Sequence, residues 1–123
     1  MTIAVAHIMS CDLVFASMDH TIDHVRELMA SKRIHALPVV GKNKKILGIV
    51  TTADIARQIE GTKPVRHVMS DMVITVGATE SIGVAARSMR EHQIHHLVVV
   101  DDSKVVGMVS SFDLLEVFEK TQL

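Results

Sequence analysis

Two short segments place the same chemistry at the same spacing. The first is Gly48-Ile49-Val50-Thr51-Thr52-Ala53-Asp54, and the second is Gly107-Met108-Val109-Ser110-Ser111-Phe112-Asp113. In each, a hydroxyl residue stands three positions before an aspartate, behind an apolar run and ahead of an apolar, helix-like stretch. This reads as a strand running into a helix start, with polar groups gathered at the turn. Such a turn offers free backbone N–H groups and the positive end of a helix dipole, which suit an anion. The same spacing is that of a capping box, in which hydroxyl and carboxylate serve only the helix's own donors. The two roles are compatible, because a cap also holds the hydroxyl in place for a ligand.

The elements that must position these turns come twice. Displacing the sequence by sixty positions lays His7-Ile8-Met9-Ser10 on His67-Val68-Met69-Ser70, Met29 on Met89, and Ile34-His35 on Ile94-His95. Leu37, Val39 and Val40 fall on Leu97, Val99 and Val100. The second copy then has a turn one residue shorter, so that Gly48 meets Gly107. A duplicated unit follows, with repeats at residues 1–62 and 63–123. Each copy reads as β-α-β-β-α. Leu13 to Ala16 and Val73 to Val76 are the first strands, and Asp19 and Thr79 stand at matching positions as candidate helix caps. Ile22, Val25, Leu28 and Met29 in one helix, and Ile82, Ala85, Ala86 and Met89 in the other, recur at helical spacing. Two β-branched runs joined by a polar turn follow in each copy and suit a hairpin. A last helix spans Thr52 to about Glu60 in the first copy and Ser111 to about Lys120 in the second. The valine-rich strands alternate little, which implies cover on both faces. The expected class is α/β (α+β): two repeats whose sheets face each other about a pseudo-twofold axis, with two equivalent clefts between them.

Composition narrows the function. The net charge of −1 gives no electrostatic reason to expect nucleic acid or an acidic membrane surface, and three phenylalanines are the only large aromatics. At 48% apolar residues a real core can form, yet each half alone is marginal in size. Cys11 is the one cysteine, which excludes an internal disulfide and suits a reducing compartment. The start, Met1-Thr2-Ile3-Ala4-Val5, lacks the basic opening and long apolar stretch of a signal peptide, and no apolar run reaches membrane-spanning length. A cytoplasmic protein is expected.

The doubled β-α-β-β-α unit now meets a known pattern. Arg33-Ile34-His35-Ala36-Leu37-Pro38-Val39-Val40, Gln93-Ile94-His95-His96-Leu97-Val98-Val99-Val100 and the two Gly-x-x-Thr/Ser-x-x-Asp turns resemble a tandem pair of CBS domains, often called a Bateman module. The resemblance covers nearly the whole chain, which implies a stand-alone module. It implies binding of adenosine-containing ligands (AMP, ADP, ATP or S-adenosylmethionine) in the clefts between the copies, and through it regulation of a partner protein. By the family motif, Asp54 and Asp113 would accept from the ribose hydroxyls, and Thr51 and Ser110 would face phosphate or ribose. His35 and His95 stand where the family's histidine contacts phosphate. Ala36 and Thr75 belong to the segments expected to wall the adenine. An ionised aspartate is an acceptor only and a ribose diol brings two donors, so the chemistry is sensible in itself. Three departures stand out. Thr52-Ala53 and Ser111-Phe112 carry no cation where the family often has Arg, which argues against a highly phosphorylated ligand. Val98 replaces the usual proline, and Phe15 stands where the second copy has Thr75.

Other features take plainer readings. Neighbouring His95 and His96 on a strand point to opposite faces, and no cysteine or carboxylate completes a metal set with His92. The eight methionines read as core filler, and Lys42, Lys44 and Lys45 as a solvated turn. Nothing pairs a nucleophile with a base and an orienting group, so no enzyme and no catalytic cofactor are expected. The alternative to a nucleotide sensor is a homodimer-forming structural module that pairs through its apolar helix faces, with its clefts vestigial.

Overall fold

The structure, a computed structural model, describes residues 2–58 and 60–121. The chain divides into two compact units, Val14–Val73 on one side and Met1–Leu13 with Ile74–Leu123 on the other. Each unit takes its body from one repeat and the segment that precedes the body from the other. Val65 of the 3-10 turn Val65–His67 is buried in the core of the first unit, and Val5 of the matching turn Val5–His7 is buried in the core of the second.

In the first unit, α1 (Ile22–Lys32) leads into β1 (Ala36–Val40), which pairs antiparallel with β2 (Ile46–Thr51), and β2 runs into α2 (Thr52–Ala56). Ala16, Ile22, Val25, Met29, Leu37, Val50 and Val65 meet in its core. In the second unit, β3 (Thr75–Gly77) precedes α3 (Ile82–His92), and the antiparallel pair β4 (His96–Asp101) and β5 (Lys104–Ser110) runs into α4 (Ser111–Lys120). β3 lies parallel on β4, giving the order β3-β4-β5. The expected hairpins form, and the shorter one closes on Asp102 (φ 53°) and Ser103 (φ 66°), both left-handed as a two-residue primed turn requires.

Several expectations are corrected. The expected strand Leu13 to Ala16 is reduced to one bridge, Ala16 on Val39, and the chain then turns, with Ser17 N–H donating to His20 Nδ1 at 3.1 Å. In the second unit the ladder continues, with Ala78 N–H donating to Val100 C=O. Asp19 and Thr79 do not cap the helices. The caps are Thr21 and Ser81, two residues later, whose hydroxyls accept from His24 N at 3.1 Å and Val84 N at 3.4 Å. Asp19 instead pairs with Arg66 of the segment that follows the first repeat. Ala86, expected in the core, is exposed, and Ile82 and Leu28 are half-buried. The helix expected to reach Glu60 ends at Ala56, and Ile59 lies outside the described residues.

The glycine of each repeated turn has a packing reason. A Cβ on Gly48 would sit 2.7 Å from Met69 Sδ and 2.9 Å from Ser70 C=O, and one on Gly107 would meet Met9 and Ser10 in the same way. Ile49 and Ser70 exchange both backbone hydrogen bonds there, as do Met108 and Ser10. Only glycine lets the borrowed segment come this close to the strand.

Candidate functional site

Each strand-to-helix turn is a complete capping box. Thr51 Oγ1 accepts from Asp54 N at 3.3 Å, while Asp54 Oδ2 accepts from Thr51 N at 2.9 Å and from the Thr51 hydroxyl at 3.0 Å. Ser110 Oγ accepts from Asp113 N at 3.1 Å, and Asp113 Oδ2 accepts from Ser110 N at 2.8 Å. All four residues are half-buried. In both boxes Oδ1 stands outside these bonds, so each carboxylate is fixed by one oxygen and keeps acceptor capacity on the other. The cap is made in both copies, and one carboxylate oxygen of each aspartate is left outside it.

The remaining expected residues fall in two places. Ala36 is buried on β1 directly opposite Thr51, and Thr75 is exposed on β3 opposite Val98. Phe15, at the position matching Thr75, lies under Lys44, whose ammonium is 5.7 Å from the ring centroid. His35 and His95 are exposed at the ends of α1 and α3. Their backbone carbonyls accept from Thr52 N and Ser111 N, each at 2.9 Å, which ties each histidine to the first residue of the following helix. Their side chains line the grooves between paired helices: His35 between α1 and α2, and His95 between α3 and α4, where Nδ1 lies 3.4 Å from Ser111 Oγ. Ser110 and Asp113 are not among the residues lining the α3–α4 groove, so the structure joins Ser110 to Asp113 and His95 to Ser111.

The grooves themselves are not visible in the sequence. The α3–α4 groove encloses about 970 Å³ and the α1–α2 groove about 480 Å³. Their signal is Leu114, Leu115 and Phe118 in α4, an apolar set that passes for core as long as the opposing wall is unknown. Among the described residues no set of three or more His, Cys, Asp or Glu side chains is arranged to hold a metal ion, and no helix is long and apolar enough to cross a membrane.

The family model for the CBS domain matches twice, at residues 5–61 and 65–120. The chain belongs to the CBS domain family. It is a tandem CBS pair with two repeats of strands and helices. Among solved structures it is similar to the CBS domain pair of protein MJ0100 in complex with 5′-methylthioadenosine and S-adenosyl-L-methionine. That match has 29% identity, covers 99% of this chain and 100% of the other, and has a TM-score of 0.92. CBSX2 in complex with AMP shares the fold at 22% identity, with coverage of 95% and 96% and a TM-score of 0.85. Among curated proteins, a homoserine O-acetyltransferase of Methanocorpusculum labreanum is 41% identical over 93 residues, covering 74% of this chain. The match spans only 19% of that enzyme's length, so the two share the CBS part.

Proposed function

We propose that this CBS pair is a regulatory module that binds an adenosine-containing ligand and modulates a partner protein. Its repeats are taken to divide at residues 62 and 63, and each repeat supplies one grip. The observation that carries the reading is the doubled capping box, in which Asp54 and Asp113 are held by Oδ2 and keep Oδ1 for a ribose diol. The ligands named for the MJ0100 pair support an adenosine core. Ala53 and Phe112, in place of a cation, favour a ligand with few phosphates, so AMP, S-adenosylmethionine or methylthioadenosine should bind more tightly than ATP. Ala36 and Thr75 are assigned to the adenine side, and His35 and His95 to any phosphate. The module is read as non-catalytic, without resident cofactor, and cytoplasmic.

Calorimetry with AMP, ADP, ATP, S-adenosylmethionine and methylthioadenosine tests this. Asp54→Ala and Asp113→Ala should each weaken one grip by about 1.5–3 kcal/mol, the usual worth of a charge-assisted hydrogen bond. Absence of heat and of thermal shift with all five ligands refutes the reading. A second reading, pairing of two copies through helix faces, is favoured by the exposed apolar surface of α4, where Phe112, Leu115 and Phe118 are 79%, 59% and 61% exposed.

A further inference from the structure

Each unit receives its docked 3-10 turn on a loop of the same backbone and different chemistry. In the first, His20 C=O accepts from Val65 N at 2.7 Å and Met18 C=O from Arg66 N at 3.3 Å. In the second, Glu80 C=O accepts from Val5 N at 2.8 Å and Ala78 C=O from Ala6 N at 2.9 Å. Val65 and Val5, both fully buried, are what these bonds hold in the two cores. Displacement by sixty positions lays Ser17 on Gly77, His20 on Glu80 and His24 on Val84, so imidazoles stand only at the first loop.

Those rings are tied to the docked turn. Ser17 N–H donates to His20 Nδ1 at 3.1 Å, and the carbonyl of the same histidine takes Val65 N. A backbone amide can only donate, so Nδ1 must accept, and it does so only without a proton. The half-buried His20 ring lies 4.6 Å, centroid to centroid, from that of His24, an exposed residue in the first turn of α1. A proton on His20 removes the acceptor, and a second on His24 sets two like charges side by side. The charges around them are already engaged: Asp19 pairs with Arg66, Asp23 with Arg26 and Lys63 with Glu60. Glu27, Lys32 and His67 complete the titratable groups on α1 and the docked turn; all three are exposed, and β1 carries none. His67 is matched by His7 in the other turn, so it does not distinguish the units.

We propose that His20 and His24 form a proton-sensitive latch. With neutral rings it holds the Val65–His67 turn on the first unit, and with protonated rings it lets go, while the second unit keeps its Val5–His7 turn. The released segment runs on to Ser70, which exchanges both backbone hydrogen bonds with Ile49, two residues before Thr51. Acidification therefore acts on the strand that leads into one capping box and spares the other.

Amide hydrogen exchange of the full chain, corrected for the intrinsic rate at each pH, tests this with an internal control. Between about pH 7.5 and about pH 5.5 the protection of Val65 and Arg66 should fall about fivefold, the worth of one net hydrogen bond, and that of Val5 and Ala6 should hold. His20→Asn keeps a side-chain acceptor on the loop and loses the proton site, so its Val65 protection should not respond to pH. His24→Val, which removes the second charge, should respond less than the wild type. A wild-type Val65 that does not respond, Val65 and Val5 protections that change together, or a His20→Asn variant that still responds overturns the latch. The two turns are compared within the wild type, so a variant that fails to fold does not shield the proposal.

Discussion

The two units start their last helix with the same code and finish it differently. Thr51 and Ser110 make the same cap with the same aspartate spacing, yet α2 runs five residues and α4 runs ten. Beyond α2 the chain has to turn back so that Gly61 and Lys63 carbonyls accept from Asp23 N and Ile22 N, the first donors of α1. Gly61 lies against the Asp23 carboxylate with no room for a Cβ, and Arg26 takes the carbonyls that the short helix leaves open. In the second unit Ile82 N is served by Ile3 from upstream, so nothing pulls the chain back and α4 continues. A start signal thus fixes where a helix begins. Its length is set by what else the backbone must satisfy.

The comparison is broken most severely from inside the cores. Leu37 and Leu97 are fully buried at matching positions, and alanine at either should cost about 3 kcal/mol. Hydrogen exchange should show protection lost first in the unit that carries the change, and equal loss in both units would contradict the division into two units. Gly61→Ala comes next. Its methyl displaces the exposed Asp23 carboxylate from its ion pair with Arg26 and should lower stability by about 1 kcal/mol, measured by urea unfolding. Arg26→Ala should cost about 1 kcal/mol through the two lost carbonyl contacts, and it should open the first groove so that a hydrophobic dye binds there.

The smallest effect lies at the end of α4. Its hydrogen bond to Lys120, and then the charge of that residue, hold the Glu116 carboxyl below its ordinary value, and the same bond raises Lys120 above its own. A lowered carboxyl contributes stability that is complete above 4.5 and is lost as the pH falls through the folded value. Both groups are fully exposed, so the change should be slight and suppressed by salt. Amide shifts of Phe118 to Thr121 between about pH 7 and pH 3 would record it.

Much of this is legible in the sequence. The repeat, both hairpins, the two capping boxes and the family come from matched residues, because local chemistry decides them. What stays hidden depends on distant partners. Thr21 and Ser81 win the caps over Asp19 and Thr79 because Lys63 and Ile3 carbonyls fix where each helix begins. The first strand keeps a single bridge where its counterpart in the second unit pairs three residues. Ala86 satisfies a helical apolar period yet is exposed, since periodicity names a face without naming what covers it. The ends of α1 and α3 are also unannounced, for Arg33 and Gln93 adopt φ near 55° where glycine is the usual signal.

The borrowed segments carry a consequence for synthesis. The body Val14–Val73 is contiguous, so it can close as soon as Val73 has left the ribosome. The first thirteen residues belong to the other unit, and Val5 must stay out of any premature collapse until Leu97 and Val109 emerge to receive it. The nascent chain therefore holds one apolar end in reserve, and a ribosome stalled between the repeats would display it to chaperones.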